Sequence, residues 1–202
     1  AMADACRAAD PRANPGLALG AVMAASAAAG RDKLTLVVPP RLARFGLWVE
    51  QLVAESTGKE GKGVVPIAGE TPDARYGNDR TVVVMTLGQE APDAGTIERL
   101  RASGAPVVTI HMNDTTELGA EFFRWEVATA AAGWLLGINP FDEPNVQQAK
   151  DATRVLLDAY GAQRRLPSPE PHAERNGIRL TLSDAAEQAL DGDADSFLKP
   201  LR

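Results

Sequence analysis

The feature that most constrains this chain is a repeated switch between short β-branched runs and longer stripes of helical period. Leu34-Thr-Leu-Val-Val38 is a continuous apolar run stopped by Pro39-Pro40, as a strand buried on both faces should be. Thr81-Val-Val-Val-Met-Thr86 is the clearest strand, Val64 to Ala68 and Val107-Val-Thr-Ile110 are two more, and a weak one spans Ile178 to Leu182. Between them lie helical stretches. Asn14-Pro15 offers a cap and a proline at the first helical position for a helix over 15 to 29 that ends at Gly30. Residues 41 to 57 place Leu42, Phe45, Trp48, Val49, Leu52 and Val53 on one stripe, ended by Gly58. Further helices are expected over 96 to 103, 117 to 138 and 144 to 162. The strand over 81 to 86, the helix over 96 to 103 and the strand over 107 to 110 form a strand, helix, strand unit with short links. Such alternation predicts an α/β fold with three layers, a flavodoxin-like parallel sheet flanked by helices.

The helix over 117 to 138 is apolar nearly all round beyond Val127, so its second half is expected to be central and buried. A polar loop from Gly69 to Arg80 contains Pro72, Gly77 and Asn78. From Leu166 onward, Pro167, Pro169 and Pro171 precede a charged stretch, which reads as a linker and an appended C-terminal segment. The expected organisation is a lead-in over 1 to 13, an α/β domain over 14 to 166 and the linker with its appendage over 167 to 202. Ala1 ahead of Met2 reads as an expression scar and is set aside from fold reasoning.

Composition excludes several classes of function. The 202 residues carry 21 Lys and Arg against 27 Asp and Glu, a net charge of −6, and no basic cluster longer than Arg164-Arg165. Nucleic acid is therefore not expected as a partner. The most apolar run, Leu17 to Ala29, is mostly alanine and falls short of the roughly 20 residues a span requires. Neither a membrane partner nor a cleaved leader is expected. The single Cys6 makes no internal disulfide, which agrees with a reducing, cytoplasmic setting.

The common cofactor signatures are absent: no G-x-G-x-x-G follows a strand, and no P-loop or nucleophile elbow is present. His111, His172 and one remote cysteine supply too few ligands for zinc. Asp191, Asp193 and Asp195 mimic the start of a calcium loop, but position six is Ser196 and position twelve is Arg202, so a solvated helix cap is the better reading. No metal and no cofactor are expected.

What is informative is polar chemistry at positions that packing would fill with apolar groups. Glu55 lies within about 20° of Trp48 on an ideal helix and three residues from Leu52. An enclosed carboxylate near a helix C-terminus gains proton affinity, as a general base requires. A Glu that bends into solvent at a fraying end satisfies the same spacing. Lys150 shares a line with Val146, Thr153, Leu157 and Tyr160, where its stem packs and its amine either snorkels or serves a site. Glu117, Glu121 and Arg124 read as a surface ion-pair ladder. Glu126 precedes the buried half of its helix and needs a partner there. Lys59 and Lys62, among Gly58, Gly61 and Gly63, read equally as phosphate contacts or as part of a mobile solvated loop.

Two segments carry a resemblance to the phosphoglucose isomerase family. Ala54-Glu55-Ser56-Thr57-Gly58-Lys59 resembles that family's Met-Glu-Ser-Asn-Gly-Lys. Trp134-Leu-Leu-Gly-Ile-Asn-Pro-Phe-Asp-Glu-Pro-Asn-Val-Gln-Gln-Ala-Lys150 is similar to its C-terminal signature, with Gly133, Leu135, Leu136, Phe141, Asp142, Val146 and Lys150 in register. Glu126, Gly133 and Asn139 also fall at family spacing. Glu143 departs from the family's Gln, Asn145 from its Gly and Gln147 from its Glu. A carboxylate at Glu143 puts a second negative charge near the site unless a cation such as Lys150 pairs with it.

The resemblance implies the C-terminal sugar isomerase (SIS) domain of an enzyme that interconverts glucose 6-phosphate and fructose 6-phosphate without metal or cofactor. It implies Glu55 as the base that moves a proton between C2 and C1 through a cis-enediol, and Lys150 as the group that assists at the ring oxygen or the developing charge. Glu143, Ser56 and Gly58 are implied as substrate-binding positions. The implied partners are a sugar phosphate, the first SIS domain of a longer parent chain and a second copy in a homodimer. Leu47 to Gly63 most resembles the isomerase part of bacterial transaldolase/phosphoglucose isomerase fusions. No Gly-Gly-Arg-[Phe/Tyr]-Ser motif, Ser/Thr-rich phosphate loop or Gly-Gln-His-like segment is found, so this chain alone is expected to show little or no isomerase activity. The competing expectation is a non-catalytic SIS module that binds sugar phosphates.

Overall fold

The computed structural model describes residues 1–70, 76–142, 144–190 and 193–198, with side chains described for all of these except residues 144, 145, 197 and 198. The chain divides into two compact units, Ala1–Asn145 and Val146–Arg202. Each is taken by itself below.

The first unit opens with a short helix, α1 (Met2–Ala5), not foreseen from the sequence, and α2 (Pro15–Ala28). Asn14 caps α2 as its spacing predicts: its side-chain oxygen accepts from the Gly16 and Leu17 amides, and Pro15 fills the first helical position. Strand β1 (Lys33–Val37) follows. A 3₁₀ turn over Pro40–Leu42 then leads into α3 (Ala43–Thr57) and β2 (Val65–Ala68). β3 (Arg80–Leu87), α4 (Ala94–Ala102) and β4 (Val107–Met112) give the expected strand, helix, strand unit, and α5 (Leu118–Leu136) closes the layer. Pro72, in the polar loop expected over 69 to 80, lies outside the described residues.

All four strands are parallel, in the order β2-β1-β3-β4. The two central strands, β1 and β3, are buried on both faces, whereas β4 leaves Thr109 and His111 exposed on the second. On the first, Leu34, Leu36, Val83, Met85, Leu87, Ile110 and Met112 pack with residues from α2, α3 and α5; on the second, Val37, Val82 and Val84 pack with Leu100 and Ala105. The near-continuous β-branched and Leu runs are the sequence form of that double burial. With helices against both faces, the architecture is the three-layer α/β fold expected.

Trp125 is fully buried in the larger core. Beside it Phe45, Trp48 and Phe122 form a cluster with ring centroids 4.4 to 5.6 Å apart. Each such pair adds about 0.5–1.5 kcal/mol beyond area burial. This cluster seats α3 against α5, and those two helices carry the residues of interest.

Three sequence expectations change in α5. Glu121 is not part of a surface ladder but is 2% exposed, and Glu126 is exposed instead of seeking a buried partner. The helix phase decides it: Glu121, Trp125, Ala128 and Ala132 form the i, i+4, i+7, i+11 stripe that faces the sheet. The last turn is also not buried, since Trp134 is 79% exposed. His111 lies in β4, its Nδ1 2.8 Å from Thr86 Oγ1 on β3.

Helix α6 (Pro144–Gln163) runs across the division into the second unit. Val146, Lys150, Thr153, Leu157 and Tyr160 are all exposed, so the expected packing face of α6 is not packed. The linker after it leads to an antiparallel hairpin in which an unforeseen β5 (Ala173–Arg175) pairs with β6 (Ile178–Leu180), the weak strand expected there. Its two-residue turn, Asn176-Gly177, has positive φ at both positions, the hairpin turn that this dipeptide favours. Among the described residues two short helices follow, α7 (Asp184–Ala189) and α8 (Ala194–Leu198). Asp193 accepts from the Ser196 amide at 3.0 Å, the cap expected there, while Asp191 and Arg202 lie outside the described residues.

Candidate active site

The last turn of α3 is shaped by Thr57. Its buried hydroxyl donates to the Val53 carbonyl at 2.8 Å and accepts from the Val64 amide at 2.9 Å, closing residues 58 to 63 into a loop. The loop turns through positive φ at Glu60, Gly61 and Gly63. At Gly63 a Cβ would stand 2.4 Å from the Thr57 carbonyl oxygen, so only glycine fits.

Lys59 overturns the reading of a mobile solvated loop. Its side chain is 4% exposed. The amine donates to the Asn139 carbonyl at 2.8 Å, to the Asp142 carbonyl at 2.5 Å and to Asp142 Oδ1 at 2.6 Å. One lysine therefore joins the two segments that carried the family resemblance. Lys62 makes a weaker parallel contact, donating to the Leu136 carbonyl at 3.1 Å from an exposed position. Both cations sit at or just beyond the C-terminus of α5, where the helix dipole favours positive charge.

The segment that Lys59 grips is itself held. Gly137 takes a left-handed conformation at the end of α5, and the Ile138 amide donates back to the Gly133 carbonyl at 3.0 Å. A Cβ on Gly133 would meet the Pro140 ring at 2.8 Å, which accounts for glycine at that matched position. The Phe141 amide donates to Asn139 Oδ1 at 3.0 Å.

The expected site residues fall into three groups. Glu55, Ser56 and Gly58 stand together on the last turn of α3. Glu55 is exposed, not enclosed at the edge of the apolar stripe, and its Oε1 accepts from Gln51 Nε2 at 3.2 Å. Ser56 is half-buried, and the Gly58 amide donates to the Ala54 carbonyl at 2.9 Å. Lys150 is exposed on the part of α6 that belongs to the second unit. Glu143 lies outside the described residues. Sequence reasoning misses Asn139 and Asp142 as anchors of this region; their signal is their place inside the second matched segment.

A cleft of about 580 Å³ opens beside the glycine loop, bordered by Gly58, Gly61, Lys62, Gly63, Leu135 and Asp32 among others. Gly58 lines it; Glu55 and Ser56 do not. It lies where β1 and β2 begin, at the opposite edge from the one doubly wound folds usually employ for ligands. A smaller cleft of about 350 Å³ occupies that usual edge, with Glu70 as its charged side chain. Glu70 is already engaged by Arg80 at 2.6 Å. Among the described residues no group of metal-binding side chains converges, and no helix is long and apolar enough to cross a membrane.

A carboxyl with raised proton affinity lies away from this region, in the first turn of α5. Burial pushes the Glu121 carboxyl up, with Arg124 at 3.3 Å opposing and the Glu117 carboxylate reinforcing the shift. Glu117 shifts the other way, held down by hydrogen bonds from the Asn113 side chain and amide.

No protein-family model matches the chain. It is similar to the glucose-6-phosphate isomerase of Synechococcus sp. (strain CC9605), 29% identical over 231 aligned positions that cover 94% of this chain and 43% of that protein. The glucose-6-phosphate isomerase of Lactobacillus delbrueckii subsp. bulgaricus is 26% identical over 162 positions, covering 60% of this chain and 36% of its own length. A probable glucose-6-phosphate isomerase of Methanococcus maripaludis is 27% identical over 165 positions, covering 63% and 38%. The chain thus spans less than half the length of these curated relatives. Among solved structures, a hypothetical protein of Thermus thermophilus shares the fold, with a TM-score of 0.65 at 19% identity over 77% of this chain and 48% of that one.

Proposed function

We propose that this chain is the base-bearing part of an isomerase of the glucose-6-phosphate isomerase type, the C-terminal SIS domain of a longer parent. The observation that carries the reading is the Lys59 clasp. It holds the turn bearing Glu55 against the 139–142 loop, so two segments distant in sequence, each similar to a family motif, meet through one buried amine. Similarity to glucose-6-phosphate isomerases supports the same reading.

In this reading the Glu55 carboxylate takes the C2 proton of the opened sugar phosphate and returns it at C1 through a cis-enediol. Lys150 offers positive charge to the oxygen that becomes negative. Ser56, Gly58 and Glu143 contribute substrate contacts. The reaction is a proton shift within one molecule, so acids and bases suffice. Glu55 is exposed on its helix, which leaves the opposite wall of the site to come from elsewhere. Trp134 and Phe141, 79% and 81% exposed before and after the α5 terminus in sequence, are large apolar side chains suited to such covering. The partner proposed for it is the first SIS domain, which grips the phosphate, in a dimeric cytoplasmic enzyme. The transaldolase fusion is the proposed setting of the parent.

The test is a coupled glucose 6-phosphate assay on this chain and on the longer protein. This chain alone should give little or no turnover, whereas the longer protein should turn over and lose about 10²–10⁴-fold in kcat with Glu55→Gln at nearly constant KM. Unaltered kcat in that variant removes Glu55 from the role. A second reading, a non-catalytic sugar-phosphate-binding module, draws on the exposure of Glu55. A thermal shift with sugar phosphates, without turnover in the longer protein, would favour it.

A further inference from the structure

Lysine is almost never fully buried unless paired, and burying the long side chain costs rotamer entropy as well as hydration. Lys59 is buried to 4% exposure in a part of the chain that is otherwise loop. Its ammonium has three N–H donors, and three acceptors meet it, at 2.8, 2.5 and 2.6 Å. No donor is left for a substrate. Two of the three acceptors are backbone carbonyls, so Lys59 grips the path of the 139–142 loop and not only the charge of Asp142. That loop is braced by the Phe141 amide on Asn139 Oδ1 and by Pro140 on Gly133.

On the other side, α3 ends at Thr57, whose hydroxyl bonds fix the backbone from within the core. Glu55 is two residues before Thr57 and four before Lys59. Helix ends fray unless tied. Here the final turn is tied at Thr57 and again at Lys59, and Glu55 is the exposed titratable side chain just before those ties. Lys62, by contrast, makes a single hydrogen bond among the described residues, from an exposed position.

We propose that Lys59 is a positioning residue for Glu55: through its three bonds to Asn139 and Asp142 it fixes the last turn of α3, and it takes no part in substrate contact itself. The inference rests on the reading of Glu55 as the base. A misplacement near 1 Å costs a reaction about 10²-fold, so the expected signature is a loss of kcat with substrate binding retained.

The experiment uses Lys59→Met and Asp142→Asn in the longer protein, the second keeping side-chain shape should the first fail to fold. Steady-state kinetics with glucose 6-phosphate are measured together with hydrogen exchange of amides 54 to 64. The expected result for Lys59→Met is a drop in kcat of about 10- to 100-fold, KM within about two-fold of wild type, and faster exchange over the last turn of α3. Asp142→Asn, which keeps the two carbonyl bonds, should show the same pattern more weakly. Unchanged kcat with faster exchange overturns the proposal while leaving the Glu55 reading intact. A KM raised about ten-fold or more at constant kcat overturns it differently, by making Lys59 a substrate contact. If the wild-type protein shows no turnover at all, the Glu55 reading fails, and unchanged exchange in both variants then overturns the clasp as well.

Discussion

The two ends of α5 bury charge in opposite ways. At its C-terminal end Lys59 has every donor matched, with Asp142 half exposed to share the field with water. At its N-terminal end, about 22 Å away along the axis, Glu121 and Arg124 meet at 3.3 Å, while Glu121 Oε2 and Arg124 Nε have no hydrogen-bond partner among the described residues. Desolvation of an ion pair is repaid only when the remaining donors and acceptors are also satisfied. The first arrangement fixes a backbone path; the second leaves a carboxyl whose proton affinity burial raises, even against its cation. Matched donors, not burial, distinguish a device that holds geometry from a strained pair.

The largest effect should come from breaking the N-terminal pair on one side only. Arg124→Leu leaves Glu121 buried without a cation and should cost about 3 kcal/mol or more of stability, measured by urea unfolding. Replacing both with Leu should return stability to within about 1 kcal/mol of wild type, or above it. A double variant as unstable as the single would contradict the description of that pair as strained. Next comes Lys59→Met, which should cost about 2 kcal/mol, the range of hydrogen bonds to a charged group. Here replacing the partner as well should bring little back, because two of the acceptors are backbone.

A smaller effect is pH-dependent. Burial raises the Glu121 carboxyl above the ordinary value of 4.5, so the folded state holds the proton more firmly than the unfolded one. Its contribution to stability is therefore present below that ordinary value and is lost as pH rises through the raised one. Arg124 and the Glu117 carboxylate are the charges that face it. Glu121→Gln should flatten the fall in Tm over that window, and an unchanged slope would assign it to other groups. The smallest expected change is Trp134→Ser, within about 0.5 kcal/mol, since that side chain is largely in water. A larger loss would mean that it already has a covering partner in solution.

Much of the architecture is legible in the sequence, because strands buried on both faces must be apolar throughout and helices must show a stripe. The β1 and β3 runs follow from that rule with ends shifted by one residue, while β4, exposed at Thr109 and His111, and the Asn14 cap are legible from their local residues. The α5 stripe is equally present in the sequence, but the i, i+4, i+7 spacing of Glu117, Glu121 and Arg124 masks the line that Glu121 shares with Trp125 and Ala128. Asn176-Gly177 likewise announces a hairpin that the short flanking runs disguise. Lys59 is of another kind. Its burial depends on Asn139 and Asp142, 80 and 83 residues away, and no local period reports a contact of that span. The turn carrying Glu55 is visible as a motif, while what holds it becomes visible only in three dimensions.

The most direct test of Glu55 as the base is hydrogen exchange at the substrate. The longer protein is incubated with fructose 6-phosphate in D₂O, and deuterium at C1 is followed by NMR. The account predicts incorporation by the wild type and a rate lower by about 10²–10⁴-fold with Glu55→Gln. Equal incorporation by the two would contradict it.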